Sequence, residues 1–191
     1  MKVRDSGMPD EGYWAEFFDA DSAIKQLIPE KTRQGDWLEV GCGYGTFTLP
    51  AARWITGTLS AVDIDMDMVA RTKQLGSDAG LGNIHVERRD VISEGVGLPQ
   101  GSQAGAMVYN LLHLEEPVSL LRKLRDTLKP GGYLSVIHWR SDIPTPRGPD
   151  LTIRPTSEQC SEWMYQAGFR EVIAIDITQS CPYHFGLLAV N

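Results

Sequence analysis

The chain is short of everything that would mark a secreted, membrane-embedded or nucleic-acid-coating protein. It has three cysteines, Cys42, Cys160 and Cys181. That odd, scattered set forms no disulfide framework and reads as thiols in a reducing compartment. No apolar run approaches the roughly 18 residues of a membrane span, and residues 1–11 lack the apolar heart of a secretion signal. A soluble, cytoplasmic protein with no membrane attachment is expected. Lys and Arg number 18 against 25 Asp and Glu, a net charge of -7, and no run of roughly five basic residues occurs. Nothing advertises a partner with a phosphate backbone, so no nucleic-acid partner is expected. There is no internal repeat or low-complexity tract, and no Cys or His cluster has metal-ligand spacing.

What is present fits one domain. At 191 residues the chain buries a substantial core but is too short for two ordinary domains. It divides into residues 1–11, expected to be mobile, N-terminal helices over 12–34, and a core over 36–191. In the N-terminal part Tyr13, Trp14, Phe17, Phe18, Ile24, Leu27 and Ile28 supply an apolar face at mostly helical spacing. An exposed aromatic segment of this kind offers a surface for a possible homodimer. Short strands are predicted at Trp37–Val40, Leu59–Val62, Ile84–Glu87, Ala106–Tyr109 and Tyr133–Ile137. The intervals suit crossovers, three of them helical, which is the rhythm of a parallel doubly wound sheet.

The clearest helix is Pro117–Leu128, where Leu120, Leu121, Leu124 and Leu128 form one stripe and Lys129-Pro130-Gly131-Gly132 stops it. From His138 to Pro155 four prolines and mixed charges predict an irregular segment over the ligand edge. A last helix, Ser157–Ala167, ends at Gly168. Two strands, Glu171–Ile177 and His184–Val190, close the chain in hairpin fashion.

Function is most legible at Leu38-Glu39-Val40-Gly41-Cys42-Gly43-Tyr44-Gly45-Thr46-Phe47. Three glycines at alternate positions directly follow an apolar strand. Each costs roughly 0.5 to 1 kcal/mol relative to alanine in regular structure, so the backbone there must bend sharply or be approached closely. Thr46–Arg53 reads as a helix start. A strand, turn and helix in this order lie where open parallel sheets bind ligands, and the helix N-terminus predicts an anionic or polar group. Glu39 sits in an otherwise apolar strand, where an unpaired carboxylate is costly and a fixed hydrogen-bond partner is expected. Asp65 and Asp67 are expected to cap the next helix.

The ordered set Glu39-Val-Gly-Cys-Gly-Tyr-Gly45, Val62-Asp-Ile-Asp65, Arg89-Asp-Val91, Asn110-Leu-Leu-His-Leu114 and Leu128-Lys-Pro-Gly-Gly132 resembles a class I S-adenosylmethionine-dependent methyltransferase. The likeness is to small single-domain members related to the ubiquinone-biosynthesis and arsenite methyltransferase group. It implies an α/β three-layer Rossmann-like sandwich whose seven-stranded, mostly parallel sheet has an antiparallel last strand between its neighbours. It also implies S-adenosylmethionine as cofactor and S-adenosylhomocysteine as product. By similarity Gly41, Gly43 and Gly45 pass close to the methionine portion, Glu39 helps hold the turn and the amino group, and Asp63 takes the ribose hydroxyls. Ile64 lies against the adenine, Asp90 accepts from its amino group, the Val91 N–H meets a ring nitrogen, and Asn110 sits beside the methionine part.

Methyl transfer is an in-line displacement in which alignment supplies much of the rate, and a base is needed only if the acceptor must lose a proton. His113, just past the fourth predicted strand, and His138, just past the fifth, are the catalytic candidates. Tyr13, Trp14, Trp139 and Arg140 are substrate-side candidates, whereas Arg147 and Arg154 face solvent by default. The fourth strand ends Tyr109-Asn110-Leu111-Leu112, not in the Asn-Pro-Pro-aromatic pattern of methyltransferases acting on amino groups of bases or glutamine. The few cysteines likewise disfavour a metalloid acceptor. A small-molecule acceptor is the expectation. The alternatives are a non-catalytic S-adenosylmethionine-binding or partner module and a nicotinamide-nucleotide oxidoreductase; against the latter, Thr46 stands where its third glycine belongs.

Overall fold

The computed structural model describes residues 8–191. Two short helices come first, α1 (Glu11–Ala15) and α2 (Ala20–Leu27). They lead into β1 (Trp37–Val40), α3 (Thr48–Trp54), β2 (Leu59–Asp63), α4 (Met66–Asp78), β3 (Ile84–Arg88) and β4 (Gln103–Tyr109). The chain ends with α5 (Pro117–Thr127), β5 (Leu128–Trp139), α6 (Ser157–Gln166), β6 (Arg170–Ile175) and β7 (His184–Val190). The seven strands form one sheet in the order β3-β2-β1-β4-β5-β7-β6. Parallel pairing runs from β3 to β5, and β7 is antiparallel to both β5 and β6. This is the expected seven-stranded Rossmann-like sheet.

The strand order reverses between β1 and β4. Chain leaving β1 travels to one side of the sheet and chain leaving β4 to the other, so a crevice opens beyond their carboxyl ends. Gly41 and Asn110, the residues that follow those two strands, face each other across it.

Alternation along the central strands sorts side chains into two cores. Leu38 and Val40 of β1, Ala106 and Val108 of β4, and Leu134 and Val136 of β5 pack with the α5 stripe Leu120, Leu121 and Leu124 and with Cys160 and Met164 of α6. On the other face Trp37, Met107, Tyr109 and Ile137 meet Ala23, Ile24 and Leu27 of α2 and Ala51 and Ala52 of α3. Glu39 belongs to this second face by the same alternation.

Several boundaries differ from expectation for local reasons. The helix expected from Thr46 starts at Thr48, because Gly45 is still in the left-handed region at φ 79°. At the end of α5, Leu128 turns extended at once. The Pro-Gly-Gly element therefore lies inside β5, bridged by a register break between Gln103 and Gly105. β5 also runs past Ile137, so His138 and Trp139 are buried strand residues rather than loop residues. β6 stops at Ile175 because the Asp176 carboxylate accepts from the Thr178 N–H at 3.0 Å and turns the chain.

The N-terminal expectations need correction too. Of the segment expected to be mobile, residues 1–7 lie outside the described residues. Residues 8–11 are tied in: the Pro9 carbonyl accepts from the Tyr44 hydroxyl at 2.7 Å, and Glu11 forms a two-pronged pair with Arg71 at 2.8 and 2.9 Å. The aromatic face is largely covered within the chain itself. Phe17 is buried, and Trp14 packs edgewise on Phe17 and Trp139, so only Tyr13 is well exposed.

One polar side chain in this aromatic box has no partner. His184 pairs across the ladder with Trp139, lies tilted 4.1 Å from its ring and 4.7 Å from that of Phe18, and has both ring nitrogens buried without hydrogen bonds among the described residues. Burial, reinforced by His138 and Arg154, pushes its pKa down to about 3 from an ordinary 6.5. An unfolded chain takes up this proton near pH 6.5, whereas the folded one refuses it until about pH 3. Stability therefore falls as pH drops through that window, by an amount on the order of a few kcal/mol. Urea titrations at pH 7 and pH 4.5 should show a smaller acid loss in His184→Phe than in the wild type; an identical loss would refute the assignment.

Candidate functional site

The turn after β1 is held by the strand beside it. Asp63, the last residue of β2, accepts from the Gly43 N–H at 2.8 Å and from the Asp65 N–H at 3.0 Å. Thr72 of α4 donates its hydroxyl to the Gly43 carbonyl at 2.8 Å. Gly41, Gly43 and Gly45 all have positive φ, at 81°, 52° and 79°. At Gly41 a β-carbon would stand 2.6 Å from the Leu111 side chain, and at Gly45 one would stand 2.8 Å from Leu49. Glycine is thus required both by dihedral and by space.

Four main-chain donors of this turn are directed inward. Gly41 and Cys42 donate to the Val62 carbonyl at 2.8 and 3.2 Å, Gly43 to Asp63, and Gly45 to the Cys42 carbonyl at 2.8 Å. Of the anionic or polar group expected at the helix N-terminus, a polar one suits these surroundings. The groups around the turn are two acids, Glu39 and Asp63, and acids select for cations and hydroxyls.

Both acids are buried. Glu39 has its expected partner, since the Thr48 hydroxyl donates to it at 2.6 Å. Burial pushes the Glu39 carboxyl up to about 8, against the lowering hydrogen bond from Thr48 and with the Asp63 charge adding to the rise. Burial likewise raises Asp63, opposed by the backbone N–H groups of Asp65 and Gly43. Each carboxylate oxygen of Asp63 accepts a backbone hydrogen bond and has a second lone pair to offer. Cys42, in the same turn, is buried with its thiol pushed up, which suits a small packed residue better than a nucleophile.

Across the crevice Asn110 adopts φ 58°, and its N–H is tied to the Ile137 carbonyl at 2.7 Å. Its side-chain oxygen and nitrogen are both buried and have no hydrogen-bond partner among the described residues. An orphaned buried amide costs roughly 1 to 3 kcal/mol, so this side chain adds to the polar groups that the cavity leaves unsatisfied.

These groups line one cavity of about 410 Å³. Of the residues expected to bind cofactor, Glu39, Gly41, Gly43, Asp63, Ile64, Asp90, Val91 and Asn110 line it, while Gly45 lies behind the turn. Asp90 also caps its own loop, accepting from the Ile92 N–H at 3.0 Å and the Ser93 hydroxyl at 2.7 Å. Asp65 does the same for α4, accepting from the Asp67 N–H at 2.8 Å. Of the substrate-side and catalytic candidates, Trp14, His113 and Trp139 reach the cavity. His138 stands behind His113. Tyr13 and Arg140 fall outside the lining: Tyr13 reaches toward the Pro146 carbonyl at 3.5 Å, and Arg140 grips Asp142 through contacts of 2.9 and 2.6 Å.

The proline-rich segment does close over the ligand edge, where Arg147, Gly148, Pro149, Asp150 and Ile153 contribute to the lining. What holds it was missed in the sequence. Arg154 is turned inward, donating to the carbonyls of Pro149, Arg140 and Arg147 at 2.6, 3.0 and 3.2 Å and to the Thr145 hydroxyl at 2.6 Å. Its only advance signal is an arginine in a segment otherwise rich in proline and glycine.

Residues 38–132 match the family model described as a methyltransferase domain. The curated relative O-methyltransferase cnsE of Penicillium expansum is 25% identical over 155 residues; the match covers 75% of this chain and 55% of the relative, so the chain spans about half of that relative's length. Among solved structures, a SAM-dependent methyltransferase from Aquifex aeolicus superposes with a TM-score of 0.79 at 23% identity, covering 95% of this chain and 94% of that one. A second, phosphoethanolamine N-methyltransferase 2 of Haemonchus contortus in complex with S-adenosyl-L-methionine, gives 0.72 at 14% identity over 90% of this chain and 52% of that one. The structural likenesses speak to the fold. Together with the domain match and the ordered motifs at the crevice, they place the chain in the class I S-adenosylmethionine-dependent methyltransferase family.

Proposed function

We propose that the protein binds S-adenosylmethionine in this crevice and transfers its methyl group to a small-molecule acceptor. The observation that carries the reading is the pairing of two buried acids with an orphaned amide around a glycine turn that directs four of its N–H groups inward. Such a site offers acceptors to an ammonium group and to ribose hydroxyls, and would set two acids against a pyrophosphate. That argues against a nicotinamide nucleotide.

The donor set fits the group. Glu39 would face the amino group, Asp63 the ribose hydroxyls, Asn110 the methionine portion, and Ile64, Asp90 and Val91 the adenine. When bound, the donor supplies an electrophilic methyl on a positively charged sulfur. The chain's own contribution is alignment and exclusion of water, roughly 7 to 11 kcal/mol in favourable cases. The roof of Trp14 and residues 147–153 serves that purpose. A roofed cavity of about 410 Å³ suits a small molecule, and the O-methyltransferase name of the Penicillium relative agrees with such an acceptor.

Calorimetry with S-adenosylmethionine tests the assignment. The wild type should bind, and Asp63→Ala should weaken binding by about tenfold or more through loss of charged hydrogen bonds. Equal affinity in both proteins, or none in the wild type, removes it.

Glu39 makes a second prediction. Folded protein keeps a carboxyl proton that the unfolded chain releases near pH 4.5, so this group's contribution to stability declines as pH rises from about 4.5 to about 8. Glu39→Gln should melt higher than the wild type at pH 8 without ligand, the gap narrowing toward pH 5. A cationic ligand beside Glu39 favours its ionised form, so wild-type binding at pH 7 should release a proton, visible as a buffer-dependent calorimetric enthalpy. Buffer-independent heat, or an unchanged affinity in Glu39→Gln, contradicts the placement.

A further inference from the structure

Two histidines unused by the donor sit end to end at the acceptor side of the cavity. His113, on the loop after β4, lines the cavity beside Leu111 and Leu114, and His138, on β5, is fully buried. His113 Nδ1 lies 3.3 Å from His138 Nε2, and His138 Nδ1 lies 3.1 Å from the backbone carbonyl oxygen of Trp139.

These two contacts favour one arrangement of the ring hydrogens. A carbonyl oxygen only accepts, so His138 Nδ1 carries a hydrogen. In the neutral ring His138 Nε2 is then the acceptor, and the hydrogen between the two rings belongs to His113 Nδ1. By the same rule the lone pair of neutral His113 is on Nε2. One backbone carbonyl thus dictates, through two imidazoles, which nitrogen of the cavity-lining ring is basic. Orienting a histidine through the nitrogen opposite the working one is how its tautomer is set elsewhere.

We infer that His113 is the general base of the reaction, that His138 is the residue positioning it, and that the acceptor is a phenol. The inference rests on the methyl-donor reading above and narrows it. An uncharged arylamine attacks through a lone pair it already has, whereas a phenol keeps its proton at neutral pH and needs a base in the transition state. The aromatic walls choose among hydroxyls: Trp14 and Trp139 meet edge to face 6.2 Å apart and both line the cavity, as do Phe47 and Tyr109, 4.8 Å apart. Planar surfaces of this kind favour a planar guest. In the step itself the acceptor oxygen gives its proton to His113 Nε2 and its electron pair forms the new O–CH3 bond, while the S–CH3 bond breaks with its pair left on sulfur. The imidazolium then returns the proton to solvent.

Nitrogen-15 NMR of the histidine rings in ligand-free protein tests the relay without any turnover. Both His113 and His138 should be protonated on Nδ1 and unprotonated on Nε2, and a His138 hydrogen on Nε2 overturns the relay. Release of S-adenosylhomocysteine is then followed with 4-methylphenol and the more acidic 4-nitrophenol, against aniline and benzyl mercaptan. His113→Gln should lower kcat on 4-methylphenol by about 100-fold or more and on 4-nitrophenol far less, with affinity for S-adenosylmethionine changed by no more than about twofold. His138→Phe should lose kcat similarly, and His138→Gln, whose carboxamide oxygen can accept from His113, should recover much of it; the NMR readout and the Gln variant decide the matter if the Phe variant does not fold. A wild type that binds the donor but methylates the amine or thiol and neither phenol, or an equal loss on both phenols in His113→Gln, overturns the inference while leaving the donor reading intact. A wild type that binds no S-adenosylmethionine removes the donor reading and, with it, the base role.

Discussion

The site depends on one hydrogen bond between neighbouring strands, from the Gly43 N–H to the Asp63 carboxylate. Asp63 ends β2, Gly43 lies just past β1, and the two strands pair in register from Trp37 with Leu59 to Val40 with Val62. Extending that register past the strand ends brings the acid to the turn. Its other oxygen takes the Asp65 N–H, so one carboxylate shapes both the β1 turn and the start of α4. From the opposite direction Thr72 of α4 holds the Gly43 carbonyl. The turn is thereby clamped at donor and acceptor with no ligand needed, a form of pre-organisation that lowers the cost of binding.

The same arrangement sets the electrical character of the crevice. In phosphate-binding turns the main-chain N–H groups point at the ligand; in this one Val62, Asp63 and Cys42 consume those of Gly41, Cys42, Gly43 and Gly45. What faces the cavity is two buried acids, one raised to about 8 by burial. A neutralising cation relieves that burial, so the desolvation that destabilises the ligand-free site contributes to selectivity once it is filled. Asn110 carries the matching tension on the β4 side, with positive φ and an amide without partner among the described residues. Strain and unsatisfied polarity thus meet at the strand tips where the order reverses.

Local patterns made much of this legible. The glycine turn, the acid at the tip of β2, the capping role of Asp65 and the leucine stripe of α5 are consequences of near neighbours in sequence, and each is found where its pattern places it. Legibility failed where a residue's surroundings come from distant chain. Arg154 looks like a solvent-facing cation, yet backbone carbonyls of Arg140, Arg147 and Pro149 gather around it because the segment folds back on itself. His138 and Trp139 look like loop residues, yet they stay in the ladder because β7 offers Phe185 and His184 as partners. The aromatic N-terminus looks like an open surface, yet β5 supplies Trp139 to cover it.

By itself, then, the amino-acid order determined the alternation of strands and helices, the position of the bend after β1 and the acids beside it, since periodicity, glycine dihedrals and capping act over a few residues. Only the tertiary structure decided that Asp63 and Thr72 clamp the turn, that the segment from Arg147 to Asp150 lines the cavity, and that a histidine after β4 meets one in β5. Those outcomes depend on strand register and on contacts between segments far apart in the chain, and burial assigns a charge state or a hydrogen-bond partner only after these have come together.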